Sequence, residues 1–309
     1  MIKNIEKLVT HPVLRGFVRL WGFRCSRFVL YHTIARILIP RKAIRRLAAS
    51  ARRYFARYLE PSESGACRRK AEKFTHHYRK KLCEDIIMLN LDRENIPGVV
   101  RTDVGFEGLD HLRRAMEGQR GVLAVGAHVG SVVWGTVALV HCINGQRTAR
   151  RRVAYICTDP YASRFFPPSE NPDTYSFVPN SLEPHQMIRR MLAALNAGQI
   201  VTTNLDVMYG GASAQAFRLF EKANVLLPAV VGAAKVAKLS RALVLPWSNR
   251  RDEHDRLVLR FEQPLVADGD VEALSQRLRD LLEKWIVESP EQWIYWDRFE
   301  KRLLYDEAL

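Results

Sequence analysis

The feature that most constrains the fold is a regular alternation of short apolar runs with helical patterns, which begins at Leu109. The apolar runs are four to six residues long, as buried strands are, and the segments between them keep the 3.6-residue period of amphipathic helices. Strands that alternate with helices form a sheet with helices packed on its faces. The sequence therefore predicts an α/β fold.

The predicted strands are residues 122–125, 153–157, 175–178, 200–205, 226–230, 242–247 and 257–262. The predicted helices of this part are residues 107–117, 130–142, 184–197, 232–239 and 270–287. Upstream, residues 1–60 and 66–91 have helical patterns, with breaks expected at Pro12, Pro40 and Pro61. Ile96-Pro97-Gly98 is predicted to be a turn. We divide the chain into a basic amphipathic helical region, 1–65, and an α/β domain, 66–309.

Positive charge is concentrated at the start of the chain. The whole sequence has a net charge of +15, and residues 1–60 hold fourteen basic residues against two acidic ones. Such a surplus indicates an anionic partner, which could be nucleic acid, an anionic lipid surface or an acidic protein. No helix-turn-helix, zinc-finger or RNA-recognition pattern accompanies the surplus, so we do not expect nucleic acid to be the partner.

The helical segment after Pro12 is amphipathic. Leu14, Phe17, Val18 and Trp21 form one apolar stripe, and arginines lie on another face. This arrangement suits a helix in the headgroup plane of a bilayer, and we expect the stripe to contact the membrane, although a core-facing helix has the same period. Within residues 13–39 the longest uncharged run, 28–35, is far below the ~20 residues that span a bilayer, and we identify no signal-peptide cleavage site.

Metal and cofactor motifs are not evident. The five cysteines form no Cys-x-x-Cys pair, which argues against a zinc cluster or a disulfide framework. The pair His76-His77 lies in a basic helical stretch without nearby acidic ligands, and we interpret it as part of a solvated face. We therefore predict no metal site.

The segment Gly126-Ala127-His128-Val129-Gly130-Ser131 follows the predicted strand 122–125 and precedes a helix expected to begin near Gly130. It places His128 at the carboxyl end of a strand, where α/β sheets bind ligands. His128 could be a general base, or a half-buried histidine with satisfied hydrogen bonds. The local pattern alone leaves both interpretations open.

Four segments resemble a known family in consistent order over residues 70–302. They are 105–109 (GFEGL), 128–133 (HVGSVV), 204–211 (NLDVMYGG) and 289–299 (SPEQWIYWDRF). In this order they are similar to the strand lead-in, the His-x-Gly-Asn-Trp-Glu motif, the Pro-Asp-Gln segment and the Pro-Glu-Gln…Trp…Arg-Phe ending of the late acyltransferases of lipid A biosynthesis. These enzymes belong to the lysophospholipid and glycerolipid acyltransferase superfamily.

The resemblance implies a glycerolipid-acyltransferase-like mixed sheet flanked by helices. It also implies transfer of a fatty acyl group from a thioester on acyl carrier protein or coenzyme A to a hydroxyl or amine acceptor. His128 would be the general base, Asp206 a second catalytic residue, Arg164 a ligand of phosphate or of the oxyanion, and Gly130 and Ser131 substrate-binding residues. No cofactor besides the acyl donor is implied. The expected location is peripheral, at the cytoplasmic face of the inner membrane, with the anionic membrane surface as a further partner.

The sequence departs from the family motif at one decisive position. The carboxylate expected five residues after the histidine is replaced by Val133. Such a carboxylate fixes the histidine tautomer, and its loss costs on the order of ten-thousand-fold in rate in triad enzymes. Asp206 or Glu107 could orient His128 instead, the acceptor could be an amine that needs less help from a base, or the chain could be a binding protein that no longer catalyses transfer. An N-acyltransferase acting on a small-molecule or peptide amine is a further alternative.

Overall fold

A computed structural model describes residues 12–33, 41–59, 64–145, 153–157, 175–179, 184–207, 216–221, 223–297 and 299. The α-helices are α1 (Pro12–His32), α2 (Arg41–Tyr54), α3 (Ser64–Asn90), α4 (Ile96–Asp103), α5 (Leu109–Glu117), α6 (Val132–Gly145), α7 (Pro184–Asn196), α8 (Pro228–Ser240) and α9 (Val271–Glu288). The strands are β1 (Val104–Glu107), β2 (Val122–Gly126), β3 (Val153–Cys157), β4 (Tyr175–Pro179), β5 (Ile200–Asn204), β6 (Ala216–Leu219), β7 (Ala223–Leu226), β8 (Leu243–Arg251), β9 (Leu257–Phe261) and β10 (Leu265–Val266). A π-helical turn, Phe55–Leu59, extends α2, and 3₁₀ turns lie at Arg93–Asn95, Pro290–Gln292 and Ile294–Asp297.

The strands form an eight-stranded sheet and a separate hairpin of β6 and β7. The order in the large sheet is β1-β9-β8-β2-β5-β3-β4, and β10 also pairs with β8. The central pairs β8–β2 and β2–β5 are parallel, whereas β8 and β9 are antiparallel. The sheet is therefore mixed and flanked by helices, which confirms the predicted fold class.

The sheet lies between two hydrophobic clusters, and β2 contributes to both. Leu123 and Val125 belong to the cluster that contains α7, α8 and α9, and Val122 and Ala124 to the cluster that contains α5 and α6. Successive side chains of a strand point to opposite faces, so a strand covered on both faces is apolar throughout. The continuous apolar run before His128 follows from this central position.

The N-terminal helices pack against the rest of the protein. Leu14 and Val18 of α1 are buried in the cluster of α5 and α6, so the prediction that their stripe contacts a membrane is wrong for these two residues. Their apolar period serves the protein core instead. The large apolar side chains that α1 exposes are Val13, Leu20, Trp21 and Phe28. The division of the chain at residue 65 stays a prediction.

Two errors in the predicted elements have the same cause. Residues 226–230 do not form a strand, because β7 ends at Leu226 and α8 begins at Pro228. Ile96-Pro97-Gly98 is not a turn but the start of α4. Proline suits the first turn of a helix, where its missing N–H would have no partner within the helix. The short strands β1, β6 and β10 were not predicted, and Pro40 and Pro61 lie outside the described residues.

Helix α3 carries the pair His76-His77. His76 is exposed and contacts the hydroxyl of Tyr31, whereas His77 is half-buried. Burial, reinforced by the positive charge of Arg251, lowers the pKa of His77 to about 3. The interpretation of this pair as a solvated face is therefore wrong for His77. No helix among the described residues combines the length and apolar composition that a membrane crossing requires.

Candidate active site

The register of two neighbouring strands brings His128 and Asp206 together. Strands β2 and β5 are parallel, with Gly126 paired to Asn204 at their carboxyl ends. His128 and Asp206 each lie two residues beyond this pair, at the same edge of the sheet. The Leu205 N–H donates to the Gly126 carbonyl across 2.8 Å and holds the two segments together.

Asp206 is fully buried, and its carboxylate accepts hydrogen bonds from His128 and Trp293. The backbone N–H of His128 donates to its Oδ2 over 2.8 Å, and the indole Nε1–H of Trp293 donates to the same oxygen over 2.9 Å. The other oxygen, Oδ1, lies 2.7 Å from His128 Nδ1. A buried carboxylate needs such partners because an unpaired charge is costly in a protein interior.

This contact defines the orientation of the imidazole. An ionised carboxylate only accepts hydrogen bonds, so this contact favours the form of the neutral imidazole in which Nδ1 carries the proton and Nε2 keeps its lone pair. Among the described residues no side chain or backbone group is hydrogen-bonded to Nε2. The His128 side chain is 18% exposed, and the ring of Tyr295 packs on it with a centroid separation of 4.9 Å.

Residues 292–294, after α9, bind the backbone of the His128 loop, residues 126–131. Ile294 N–H donates to the His128 carbonyl over 3.1 Å, and Gly130 N–H donates to the Gln292 carbonyl over 3.0 Å. Between them Val129 and Trp293 form an antiparallel bridge. These backbone bonds bring the Trp293 indole to Asp206. Residues 292–294 thus hold both site residues in position, and we call them the brace.

Two glycines let the loop approach strand β8. A Cβ on Gly126 would lie 2.8 Å from the Trp247 ring, and one on Gly130 would lie 2.6 Å from Asn249 Oδ1. Gly130 also has φ +69°, a conformation that favours glycine. Gly126 and Gly130 are therefore required by packing, whatever they contribute to substrate binding.

The remaining predicted site residues have different positions. Arg164 lies outside the described residues. Ser131 is buried, and its hydroxyl has no hydrogen-bond partner among the described residues. Glu107, the alternative partner for His128, instead pairs with Arg250 at 3.6 Å and is 46% exposed. Val133 lies half-buried on α6 against the cluster of α5 and α6.

The sequence analysis missed the roles of Trp293 and Tyr295. Both lie in the segment SPEQWIYWDRF, which was noted for its resemblance to the family ending but was given no function. The indole N–H of Trp293 beside the Asp206 carboxylate and the ring of Tyr295 on the imidazole depend on contacts between residues 87 and 167 positions apart in the chain. The resemblance of SPEQWIYWDRF to the family ending was the signal in the sequence that could have pointed to these two roles.

A buried ion pair lies behind the brace. Glu84 of α3 and Arg251 of β8 are in direct contact, and their side chains are 0% and 2% exposed. Burial opposes the charge on Arg251, but Glu84 outweighs it, so the pKa of Arg251 lies above its ordinary value. Gln292 binds the Arg251 backbone twice, accepting from its N–H at 2.7 Å and donating to its carbonyl at 3.0 Å.

A small cleft opens next to this pair. Its walls are formed by α3, by Gly130 and Arg251, and by the segment after α9; the residues are Phe74, His77, Tyr78, Lys81, Gly130, Arg251, Glu291, Gln292 and Ile294. Gly130 therefore contributes to the wall of a cleft. Among the described residues no group of three or more His, Cys, Asp or Glu side chains is placed to hold a metal ion.

Comparison with known families agrees with the resemblance. Residues 86–303 match the family model described as bacterial lipid A biosynthesis acyltransferase. No curated protein matches the sequence. The matched range covers more than half of the chain and contains the His128 loop, Asp206 and the brace that holds them. The chain belongs to the bacterial lipid A biosynthesis acyltransferase family.

Proposed function

We propose that this protein transfers a fatty acyl group from a carrier-protein or coenzyme A thioester to a hydroxyl or amine acceptor, with His128 as the general base. Membership of the family indicates acyl transfer in general. The observation that carries the finer proposal is the buried Asp206 bound to His128 Nδ1 at 2.7 Å. It gives the histidine a carboxylate partner that Val133 cannot provide.

The reaction follows from this geometry. The acceptor O–H or N–H gives its proton to His128 Nε2 while the acceptor oxygen or nitrogen attacks the thioester carbonyl carbon. The resulting tetrahedral intermediate collapses as the carbon–sulfur bond breaks. The departing thiolate takes the proton back from the imidazolium, so the enzyme returns to its starting state.

Asp206 stabilises the charged form of His128 during this cycle. The imidazolium that forms in the transition state lies against a carboxylate that is already desolvated and fixed by the Trp293 N–H. Of the three explanations for Val133, a substitute carboxylate at Asp206 is therefore the one that we favour. Glu107 is not needed for this role.

The tetrahedral intermediate carries an oxyanion, which needs a hydrogen-bond donor or cation other than His128 and Asp206. The Gly130 N–H is already bonded to the Gln292 carbonyl, so it is not free to bind an oxyanion. We propose Arg164 for this role, because a guanidinium is always charged and presents several donors. Gly130 and Ser131 remain proposed substrate contacts through the shape of the loop.

We propose that α1 attaches the protein peripherally to the anionic cytoplasmic face of the inner membrane. Its exposed Leu20 and Trp21 are 84% and 56% exposed, and Val13 and Phe28 are also exposed on this helix. Large apolar side chains that a soluble protein leaves uncovered favour insertion into the interfacial region of a bilayer. The membrane would present a lipid acceptor to the site.

The test is an acyl-transfer assay with purified protein. Acyl carrier protein and coenzyme A thioesters would be combined with lipid, sugar and amine acceptors, and acylated products would be identified by mass spectrometry. We expect product with at least one donor and its loss in His128→Ala. If no pair of donor and acceptor reacts, or if His128→Ala matches the wild type, the proposal is wrong and a repurposed binding protein becomes the better account. Product only with amines would identify an N-acyltransferase.

A further inference from the structure

Helix α2 presents a basic face to solvent. The exposed cations of this α2 basic face are Arg41, Lys42, Arg45, Arg46, Arg52 and Arg53, and Arg57 follows in the π-helical turn. At about 100° per residue, the six cations of α2 fall within an arc of about 140° over a length of about 18 Å. The segment 41–59 contains no acidic residue.

The arginines of α1 are in a different situation. Arg19 pairs with Asp92 at 2.6 Å, Arg24 pairs with Asp103 at 2.6 Å, and Arg27 lies 3.4 Å from Glu84. Their charge is compensated by acids on α3, on α4 and in the loop between them. By contrast, no cation of the α2 basic face contacts a carboxylate within the part of the chain that the structure describes.

The exposed side of α2 also lacks apolar anchors. The apolar residues at its end are buried: Tyr54, Phe55 and Tyr58 pack against Trp296 and Phe299. None of the large apolar side chains exposed in the described residues belongs to α2. The α2 basic face is therefore suited to charge pairing but not to insertion among lipid chains.

The buried side of α2 is connected to the candidate active site. Ser50 Oγ donates to the Trp296 carbonyl over 3.1 Å, and the Tyr54 ring lies 6.2 Å from the Trp296 ring. Trp296 in turn packs edge-on against Trp293 at 4.9 Å, and Trp293 donates to Asp206. The Tyr54–Trp296 and Trp296–Trp293 contacts therefore connect α2 to the indole that donates to Asp206.

Resting on the proposed function, we infer that the α2 basic face is the docking surface for the acidic carrier protein that delivers the acyl thioester, and that it is separate from the membrane-binding face of α1. Charge complementarity identifies the occupant: an acidic helical protein can place carboxylates along a cationic helix of this length. Its flexible prosthetic arm then carries the thioester from the docking site to His128.

A protein partner fits the α2 basic face better than a bilayer does. Interfacial helices combine cations with exposed apolar anchors, and here the anchors are on α1 while the unpaired cations are on α2. Near the end of α2, Arg53 and Arg57 lie over the rings of Tyr54 and Tyr58 at 5.9 Å and 5.3 Å. Stacking on a ring limits the freedom of a side chain and so lowers the entropic cost of pairing with a protein.

The experiment measures binding instead of turnover. Binding of a bacterial holo-acyl carrier protein, and of vesicles of phosphatidylethanolamine and phosphatidylglycerol, would be measured for the full-length protein and for Arg45→Glu/Arg46→Glu. The control is Arg113→Glu/Arg277→Glu, which makes the same charge change at exposed positions on α5 and α9. Circular dichroism and thermal melting would verify that both variants are folded.

We expect the α2 variant to bind the carrier at least about tenfold more weakly than the control variant, because local charge reversal adds repulsion to lost pairing. Vesicle binding should fall equally in both variants, since they lose the same net charge. Equal carrier binding by the two variants, no carrier binding by the wild type, or a selective loss of vesicle binding in the α2 variant would overturn the inference. Carrier binding without any acyl transfer would refute the proposed function and leave the docking surface intact.

Discussion

Two carboxylates, Asp206 and Glu84, are both completely buried, yet they contact different kinds of side chain. Asp206 accepts from the N–H groups of His128 and Trp293. Glu84 is in contact with the guanidinium of Arg251 and lies 3.4 Å from that of Arg27.

The difference teaches how burial relates to function. Glu84 has its countercharge at all times, so its pair is a permanent structural element that fixes α3 to β8. The His128 ring that Asp206 contacts can take up a proton, so this buried carboxylate can stabilise the imidazolium of a reaction cycle. Burial alone does not distinguish these roles, but the contact of Asp206 with a ring that can be protonated does.

The largest expected effect comes from Asp206→Asn. The amide would keep the shape of the side chain but present an N–H to one of the N–H groups that donate to Asp206, so it would favour the wrong imidazole tautomer. We expect kcat to fall on the order of 10³- to 10⁴-fold. The assay is steady-state acyl transfer, compared with the wild type at equal concentrations of folded protein.

Thermal melting of Asp206→Asn provides the necessary control. If the variant is folded and its activity falls less than tenfold, Asp206 is not the partner that His128 needs. The buried Asp206 would then have a structural role, as Glu84 has.

The second effect is on stability. Glu84→Gln would leave Arg251 buried without its main countercharge, and we expect the free energy of unfolding to fall by about 3–5 kcal/mol. The double variant Glu84→Gln/Arg251→Met should recover part of this loss, because it removes the buried charge as well. Denaturant unfolding measures both, and a Glu84→Gln variant as stable as the wild type would contradict the assignment.

A smaller effect on stability should appear at acidic pH. It comes from His77, which lines the same cleft as Arg251 of the buried ion pair. The pKa of His77 is lowered to about 3 in the fold, so this ring binds a proton more readily in the unfolded chain. Its contribution to stability should therefore decrease as pH falls below about 6.5, by at most about 1.4 kcal/mol per pH unit. Unfolding of the wild type and of His77→Gln at pH 7.5 and pH 5 measures the difference. Equal pH dependence in the two proteins would show that His77 is not buried as described.

The smallest effect is expected at position 133. Val133→Glu restores the carboxylate of the family motif, but His128 Nδ1 is already bound to Asp206. We expect no gain in kcat over the matched variant Val133→Gln, and both should lose some stability because Val133 packs against apolar neighbours. A tenfold gain in Val133→Glu over Val133→Gln would show that Asp206 does not serve as the dyad carboxylate.

From the sequence, a contact between His128 and Asp206 was only one of two alternatives, beside a contact with Glu107. Each follows an apolar strand, which indicates a sheet edge. That β2 and β5 are neighbours, with Gly126 opposite Asn204, depends on strand order. Strand order is set by the packing of the whole sheet, which a local pattern does not contain. Glu107 was therefore an equal alternative until the fold placed it beside Arg250.

The apolar period of α1 likewise predicted the helix but not what covers its apolar face. The spacing of Leu14 and Val18 predicts a helix with one apolar face, and the helix is present. A protein core and a bilayer select the same spacing, so the pattern does not say which of them covers that face. The identity of the exposed residues, such as Leu20, becomes known only from the packing of α1 on the rest of the fold.

The central claim is that Asp206 holds His128 with its proton on Nδ1, leaving Nε2 as the base. Long-range ¹H–¹⁵N correlation spectra of protein labelled at its nine histidines report the tautomer directly, and His128→Gln assigns the resonance. At a pH where the ring is neutral, we predict a protonated Nδ1 and an unprotonated Nε2 for His128, with a change in this distribution in Asp206→Asn. A wild-type spectrum with the proton on Nε2 would contradict the account.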